Sequence, residues 1–186
     1  MPGAAGILSA FGLSASAGLN AYIPLLIVAI MARLDVISLN EPWDALESWW
    51  AIGALVVLVL IEFFVDKIPA VDTVNDVIQT FIRPAAGAIL FAASANAVTD
   101  LSPVVSLILG LLIAGGVHVG KSTVRPMITA TTAGIGNPIV STAEDITSTV
   151  LALLAVVLPW LVLLVAVTGI VIFLAWRLRR ARARHP

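Results

Sequence analysis

Two stretches, WWAIGALVVLVLIEFF (49–64) and LALLAVVLPWLVLLVAVTGIVIFLAW (151–176), hold one charged residue between them, Glu62. An α-helix rises about 1.5 Å per residue, so about 20 apolar residues cross the roughly 30 Å hydrocarbon core of a bilayer. Both stretches approach or exceed that length. Neither shows the alternation of a membrane barrel strand, and in lipid a helix is the other way to satisfy every backbone N–H and C=O. The rest of the chain agrees, with 60% of its 186 residues apolar and 11% charged, and a mean hydropathy of +1.09. The fold class read from this is all-α, a polytopic transmembrane helix bundle.

Six membrane segments follow from the hydropathy pattern, some of them broken or re-entrant. The first, 7–32, is interrupted by SASAGLNAYIP, where Gly18, Asn20 and Pro24 demand tight packing or a break. Ala15-Ser16-Ala17 has the small-residue character of a signal cleavage site, but no base precedes it and apolar sequence resumes at once, so an uncleaved segment is expected. LDVISLNEPWDALES follows with Asp35, Glu41, Asp44 and Glu47 and reads as an outer loop, bordered by Trp43, Trp49 and Trp50 as an interfacial belt. The second segment is 49–64, the third begins at Pro84 in the Ala/Gly-rich PAAGAILFAASANAV, and the fourth is 103–119. PMITATTAGIGNPIVSTAED (126–145) is too polar for lipid and too sparsely charged for a solvent loop, which predicts a broken or re-entrant helix inside protein. The last segment, 146–176, is longer than the hydrocarbon core requires, so Pro159 is expected to kink it, or the helix to tilt.

Charge sets the orientation. Arg177, Arg179, Arg180, Arg182 and Arg184 crowd the last ten residues, a basic run that after an apolar helix anchors topology against anionic lipid rather than binding nucleic acid. Residues 1–176 are read as one integral-membrane domain and 177–186 as its basic tail, with both termini cytoplasmic across an inner (plasma) membrane. With no cysteine and two histidines, thiolate metal sites, disulfides and multi-histidine centres are excluded, and neither a metal nor a cofactor is expected. LVVLVLIEFFVDK (55–67) superposes on LGLLIAGGVHVGK (109–121), and SAGLNAYIP (16–24) echoes TAGIGNPIV (132–140), which raises an internal repeat. Paired broken helices in two such halves point to a binding site.

The candidate site residues gather in EFFVDKIPAVDTVNDVIQTFIRP (62–84) and in two later groups. Read as a helix, the second half of that stretch puts Asp72, Asp76, Thr80 and Arg83 on one face, with Val74, Val77, Ile78 and Phe81 largely opposite. Such a face either meets water at the membrane surface or lines a cavity and binds a cation or proton. Glu62 lies inside an apolar segment, about a turn short of Asp66 and Lys67. It needs a wet cavity, a proton or a basic partner, for which Lys121, Arg125 and Arg83 are candidates. Glu144 and Asp145, after Ser141 and Thr142 as candidate N-caps, read either as first-turn acids or as part of a site with GIGNP. Asn20 and Asn137 are matching polar residues of the two broken segments. His118, alone near a helix end, reads as an interfacial hydrogen-bonding residue.

GLNAYIPLL (18–26), EFFVDKIPAVDTVNDVIQTFIRPAAGAILFA (62–92), TATTAGIGNP (129–138) and STAED (141–145) resemble a family of small bacterial inner-membrane proteins grouped as a domain of unknown function (DUF4126-like). The resemblance covers roughly residues 9–160. It implies an integral-membrane protein of bacterial type and brings no activity or site to carry over. The leading functional expectation is a small transporter or channel for a small solute or ion, in contact with membrane lipids and open to homo-oligomerisation. A non-transporting scaffold subunit is the alternative, and a membrane enzyme acting on a lipid phosphate the third. No hydrolase triad, metalloprotease signature or nucleotide loop recommends an enzyme.

Overall fold

The computed structural model describes residues 2–65, 69–96 and 101–182. Among them are seven α-helices and no strand: α1 (Pro2–Leu19), α2 (Tyr22–Arg33), α3 (Trp49–Val65), α4 (Pro69–Asn96), α5 (Pro103–Thr132), α6 (Asn137–Val157) and α7 (Pro159–Arg182), with a 3-10 turn, Trp43–Glu47, before α3. Prolines mark six of the seven starts, since Pro2, Pro24, Pro69, Pro103, Pro138 and Pro159 occupy first-turn positions where the missing N–H has no intrahelical partner to lose. Pro84 and Pro126 instead lie inside α4 and α5. Four helical segments are long and apolar enough to cross a membrane: Val77–Ala95, Pro103–Thr132, Asn137–Val157 and Pro159–Arg177. The outer surface is apolar too, with Val57, Leu60, Ile61 and Phe64 of α3 and most of α7 exposed. An apolar patch of that extent on a monomer calls for lipid or a partner.

Helix α1 is the axis of the bundle, packing on α4, α5, α6 and α7. Small residues make this possible, because helix association in lipid relies on close backbone approach and interhelical hydrogen bonds rather than on hydrophobic exclusion. Ser9 Oγ donates to the Ala155 carbonyl at 2.7 Å, Ser14 Oγ to that of Gly87 at 2.9 Å, and Ser16 Oγ to that of Ser148 at 2.8 Å. The pairs Ser9–Ala155, Ser16–Ser148 and Asn20–Asp145 advance in opposite directions along the two chains, so α1 and α6 are antiparallel. Ser14–Gly87 and the edge-on Phe11–Phe91 pair set α4 antiparallel to α1 in the same way. Where α4 crosses α5 no space remains: a Cβ on Gly110 would stand 2.7 Å from both Phe91 Cβ and Ala88 Cα.

The two expected breaks are present, and each is a reversal. After Asn20 the chain turns back through α2, and residues 36–39 line one cavity of about 290 Å3 with Gly6, Ser9 and Leu13 near the start of α1. Segment 7–32 is therefore two helices that double back on each other rather than one interrupted helix. At the second break Ala133 (φ 51°) and Gly134 (φ 85°) adopt left-handed backbone, with the Gly134 N–H returning to the Thr129 carbonyl at 3.1 Å. This is the usual helix-ending geometry, for which glycine carries no Cβ penalty. The polar stretch 126–145 is thus the end of α5, a tight turn and the first turns of α6. Since α6 opens at Asn137, Ser141 and Thr142 are not N-caps, and Glu144 and Asp145 lie two turns inside the helix rather than in its first turn. At Leu158 (φ −136°, ψ 66°) the expected kink is a full break, because the residue before a proline is pushed out of helical backbone.

Candidate functional site

Helix α4 wears its polar face inward. Gln79 and Arg83 are about 1% exposed, whereas Val77, Ile78 and Phe81 are 63%, 52% and 77% exposed. The amphipathic pattern of VNDVIQTFIRP is real, but at this end its apolar side faces outward, the arrangement expected of a helix in lipid. Pointed at the interior, Arg83 needs partners. Its Nη2 donates to Glu62 Oε1 of α3 at 3.2 Å and its Nη1 to His118 Nδ1 of α5 at 3.2 Å. Glu62, 2% exposed, thus has the base that its position demanded, and of the three candidates it is Arg83.

A second group lies one turn along α5. Lys121 Nζ meets Glu144 Oε2 of α6 at 2.6 Å and donates to the Leu19 carbonyl at 3.2 Å, satisfying an orphan acceptor where α1 ends. Arg125 Nη2 reaches the same carboxylate oxygen at 3.5 Å and the Ser141 hydroxyl. Asn20 joins the other side. Its Oδ1 accepts from the Tyr22 and Ile23 N–H groups at 3.0 Å, capping α2, and its Nδ2 donates to Asp145 Oδ1 at 2.9 Å. Nearer the turn, Thr129 Oγ1 donates to Asn137 Oδ1 at 3.0 Å.

These residues form one layer. Arg83 precedes the end of α4 by 13 residues and His118 follows the start of α5 by 15, which at about 1.5 Å per residue puts both roughly 20 Å along their helices from those ends. Among the described residues, three carboxylates (Glu62, Glu144, Asp145) and three bases (Arg83, Lys121, Arg125) gather here, equal numbers of each sign. Removing six charges from water is costly unless pairing and hydrogen bonds are good. Beside it, Ile23, Val59, Phe63, Ile146 and Val150 wall an apolar groove of about 290 Å3 that Thr142, Thr149 and Asp145 also line.

Most residues singled out in the sequence meet here: Asn20, Glu62, Arg83, Lys121, Arg125, Glu144 and Asp145 in the layer, and Asn137 at its edge. Asp66 and Lys67 lie outside the described residues. Asp72 and Asp76 are on α4, on the face that continues toward Thr80 and Arg83, and their side chains are not described. His118 is not interfacial: α5 runs 14 residues beyond it and it is 3% exposed. Gln79, one turn before Arg83, and the Ser16–Ser148 pair escaped the sequence reading. The Gln79-to-Arg83 spacing of four was the available signal for the first.

The fold and this layer define an α-helical protein of membrane type with a set of paired, largely buried charges between its helices. A family model described as a domain of unknown function (DUF4126) matches residues 7–180, and the chain belongs to that family. No curated protein and no solved structure matches it.

Proposed function

We propose that the protein is a small transporter, or gated channel, for a small solute or ion, with the charge layer as its closed gate. The observation that carries this is the meeting of both helix reversals with the buried charges: Asn20 ends α1 on Asp145, Lys121 caps α1 while holding Glu144, and Asn137 opens α6 two turns before that carboxylate. Discontinuous helices whose ends carry ionisable groups at membrane depth are the usual construction of a transport site. Pairing across α1, α3, α4, α5 and α6 means that one change of protonation or ligand shifts several helices together. In this reading α3 to α7 cross an inner membrane of bacterial type five times and α1–α2 re-enters from the outer face. The start of the chain then lies on the side of the acidic 35–47 loop, opposite the arginine tail. What supports this in place of two cytoplasmic termini is the packing of residues 36–39 beside Gly6 and Ser9.

The scaffold reading draws on one specific observation: Asn20, Glu62 and Asn137 are 2%, 2% and 8% exposed, and each has a hydrogen-bonded partner. A static brace needs no more than that. The two readings part in reconstituted vesicles. Efflux of a panel of monovalent cations, chloride and small neutral solutes from vesicles holding the protein should exceed the empty-vesicle rate for at least one member. Empty-vesicle rates throughout would leave the scaffold.

A further inference from the structure

Arginine has donors only. Where Arg83 Nη1 lies 3.2 Å from His118 Nδ1, the ring nitrogen is the acceptor and carries no hydrogen. The ring hydrogen of the neutral histidine therefore sits on Nε2, which donates to Thr80 Oγ1 at 3.1 Å. Ser122 Oγ, 3.4 Å from the same Nε2, uses its own hydrogen on the His118 carbonyl at 2.8 Å. Thr80 and Ser122 are exposed at the outer face of α4 and α5, while the Nδ1 edge of the ring faces the buried charge layer.

A second proton on His118 has one place to go, the Nδ1 lone pair, and Arg83 occupies it. We infer that His118 binds the proton that drives the gate, because that proton and the Arg83 guanidinium compete for a single lone pair. The inference rests on the transport reading and names its coupling ion. In the step, a proton from water adds to Nδ1, the Nη1–H to Nδ1 hydrogen bond is lost, no covalent bond of the protein breaks, and the ring gains one positive charge. The surroundings reinforce the exchange. Facing the ring are Thr80 and Arg83 from α4, with Glu62 of α3 behind Arg83. Ser122 and Lys121 flank it on α5, Glu144 of α6 holds Lys121, and Tyr22 of α2 lies close enough to feel Glu62 and Arg83. Protonation adds a fourth cation to the three carboxylates among the described residues and puts two cations in contact at 3.2 Å, so Arg83 must leave. The α4–α5 link opens with it, and the Glu62 tie to α3 is strained.

The test is nitrogen NMR of the full chain in lipid, with labelled histidine and arginine and the second histidine removed as His185→Gln. At about pH 8 the ring should carry its hydrogen on Nε2, and over the window down to about pH 5, where histidine changes charge, Nδ1 should gain a hydrogen in the same step that shifts the Arg83 Nη signal. A ring protonated on Nδ1 at the start, a ring that stays neutral throughout, or an Arg83 signal indifferent to the ring would each overturn the inference. In vesicles an imposed pH gradient should accelerate flux through the native protein several-fold and leave His118→Gln at its ungraded rate. Equal acceleration of both would also overturn the proton assignment. Flux with the NMR linkage absent sinks the proton and keeps the transporter; the linkage without any flux sinks the transporter.

Discussion

Replacing Arg83 by methionine keeps most of its length and removes its charge from a site where it and Glu62 are about 1% and 2% exposed. The pair is 3.2 Å apart, a separation at which two unit charges attract by about 5 kcal/mol at an effective dielectric constant of about 20. Desolvation offsets most of that gain, so the intact pair adds little net stability, but breaking it leaves a carboxylate in the interior. Losses of about 3–5 kcal/mol are usual for one partner removed, whereas an apolar replacement of both is close to neutral. Arg83→Met alone should therefore destabilise by that amount, and Glu62→Leu with Arg83→Met should recover most of it. Glu62→Gln, which keeps an acceptor for Arg83 and strands a guanidinium instead, should fall between them. Unfolding in detergent, followed by the five tryptophans, reads all four proteins. If Arg83→Met comes within about 0.5 kcal/mol of the native protein, as surface changes do, the pair is solvated and the buried layer is wrong.

Three further outcomes follow from the packing. Gly110→Ala puts a methyl into the α4–α5 crossing and should cost about 1–3 kcal/mol by overpacking, while Gly169→Ala, with open space around it, should be neutral or slightly stabilising; equal effects would refute the crossing. Asn20→Ala removes the α2 cap and the Asp145 bond and should lose about 1–2 kcal/mol, with Asn20→Asp restoring the cap while setting two carboxylates together; a neutral Asn20→Ala would show that the first reversal does not depend on it. Single cysteines at Asp44 and Thr131, introduced into a chain with none of its own, should react with an impermeant thiol reagent from opposite sides of the membrane, and labelling of both from one side would contradict the five-crossing arrangement.

The membrane class, the helices and both breaks were legible because they rest on local signals: apolar run length, glycine and proline placement, and scarcity of charge. What local signals leave open is the direction of the chain after a break. SASAGLNAYIP and ATTAGIGNP look alike as interruptions, and nothing within either says whether the next helix continues or turns back. That is decided by Lys121 and Asp145 meeting the end of α1, contacts more than 100 residues apart. The inward polar face of α4 was ambiguous for the same reason, since an amphipathic helix has a polar face whichever side lipid lies on. Glu62 was readable as a residue in need of a base, and choosing Arg83 over Lys121 and Arg125 required the tertiary register of α3, α4 and α5. His118 was misplaced by taking the end of an apolar run for the end of a helix, when α5 continues through the polar Lys121–Thr132 turns.

The central claim is that the charge layer opens to water. Ser141, 3% exposed and bonded to Arg125, lies within that layer and is nearly isosteric with cysteine. In membranes, Ser141→Cys should react with a water-soluble maleimide to completion and more slowly than Thr131→Cys at the exposed turn, and its rate as a fraction of the Thr131→Cys rate at the same pH, which removes the common loss of thiolate, should be higher on the acid side of the histidine range than on the alkaline side. A Ser141→Cys that stays unlabelled at every pH, while Thr131→Cys is fully modified, would contradict a gate and leave a sealed brace.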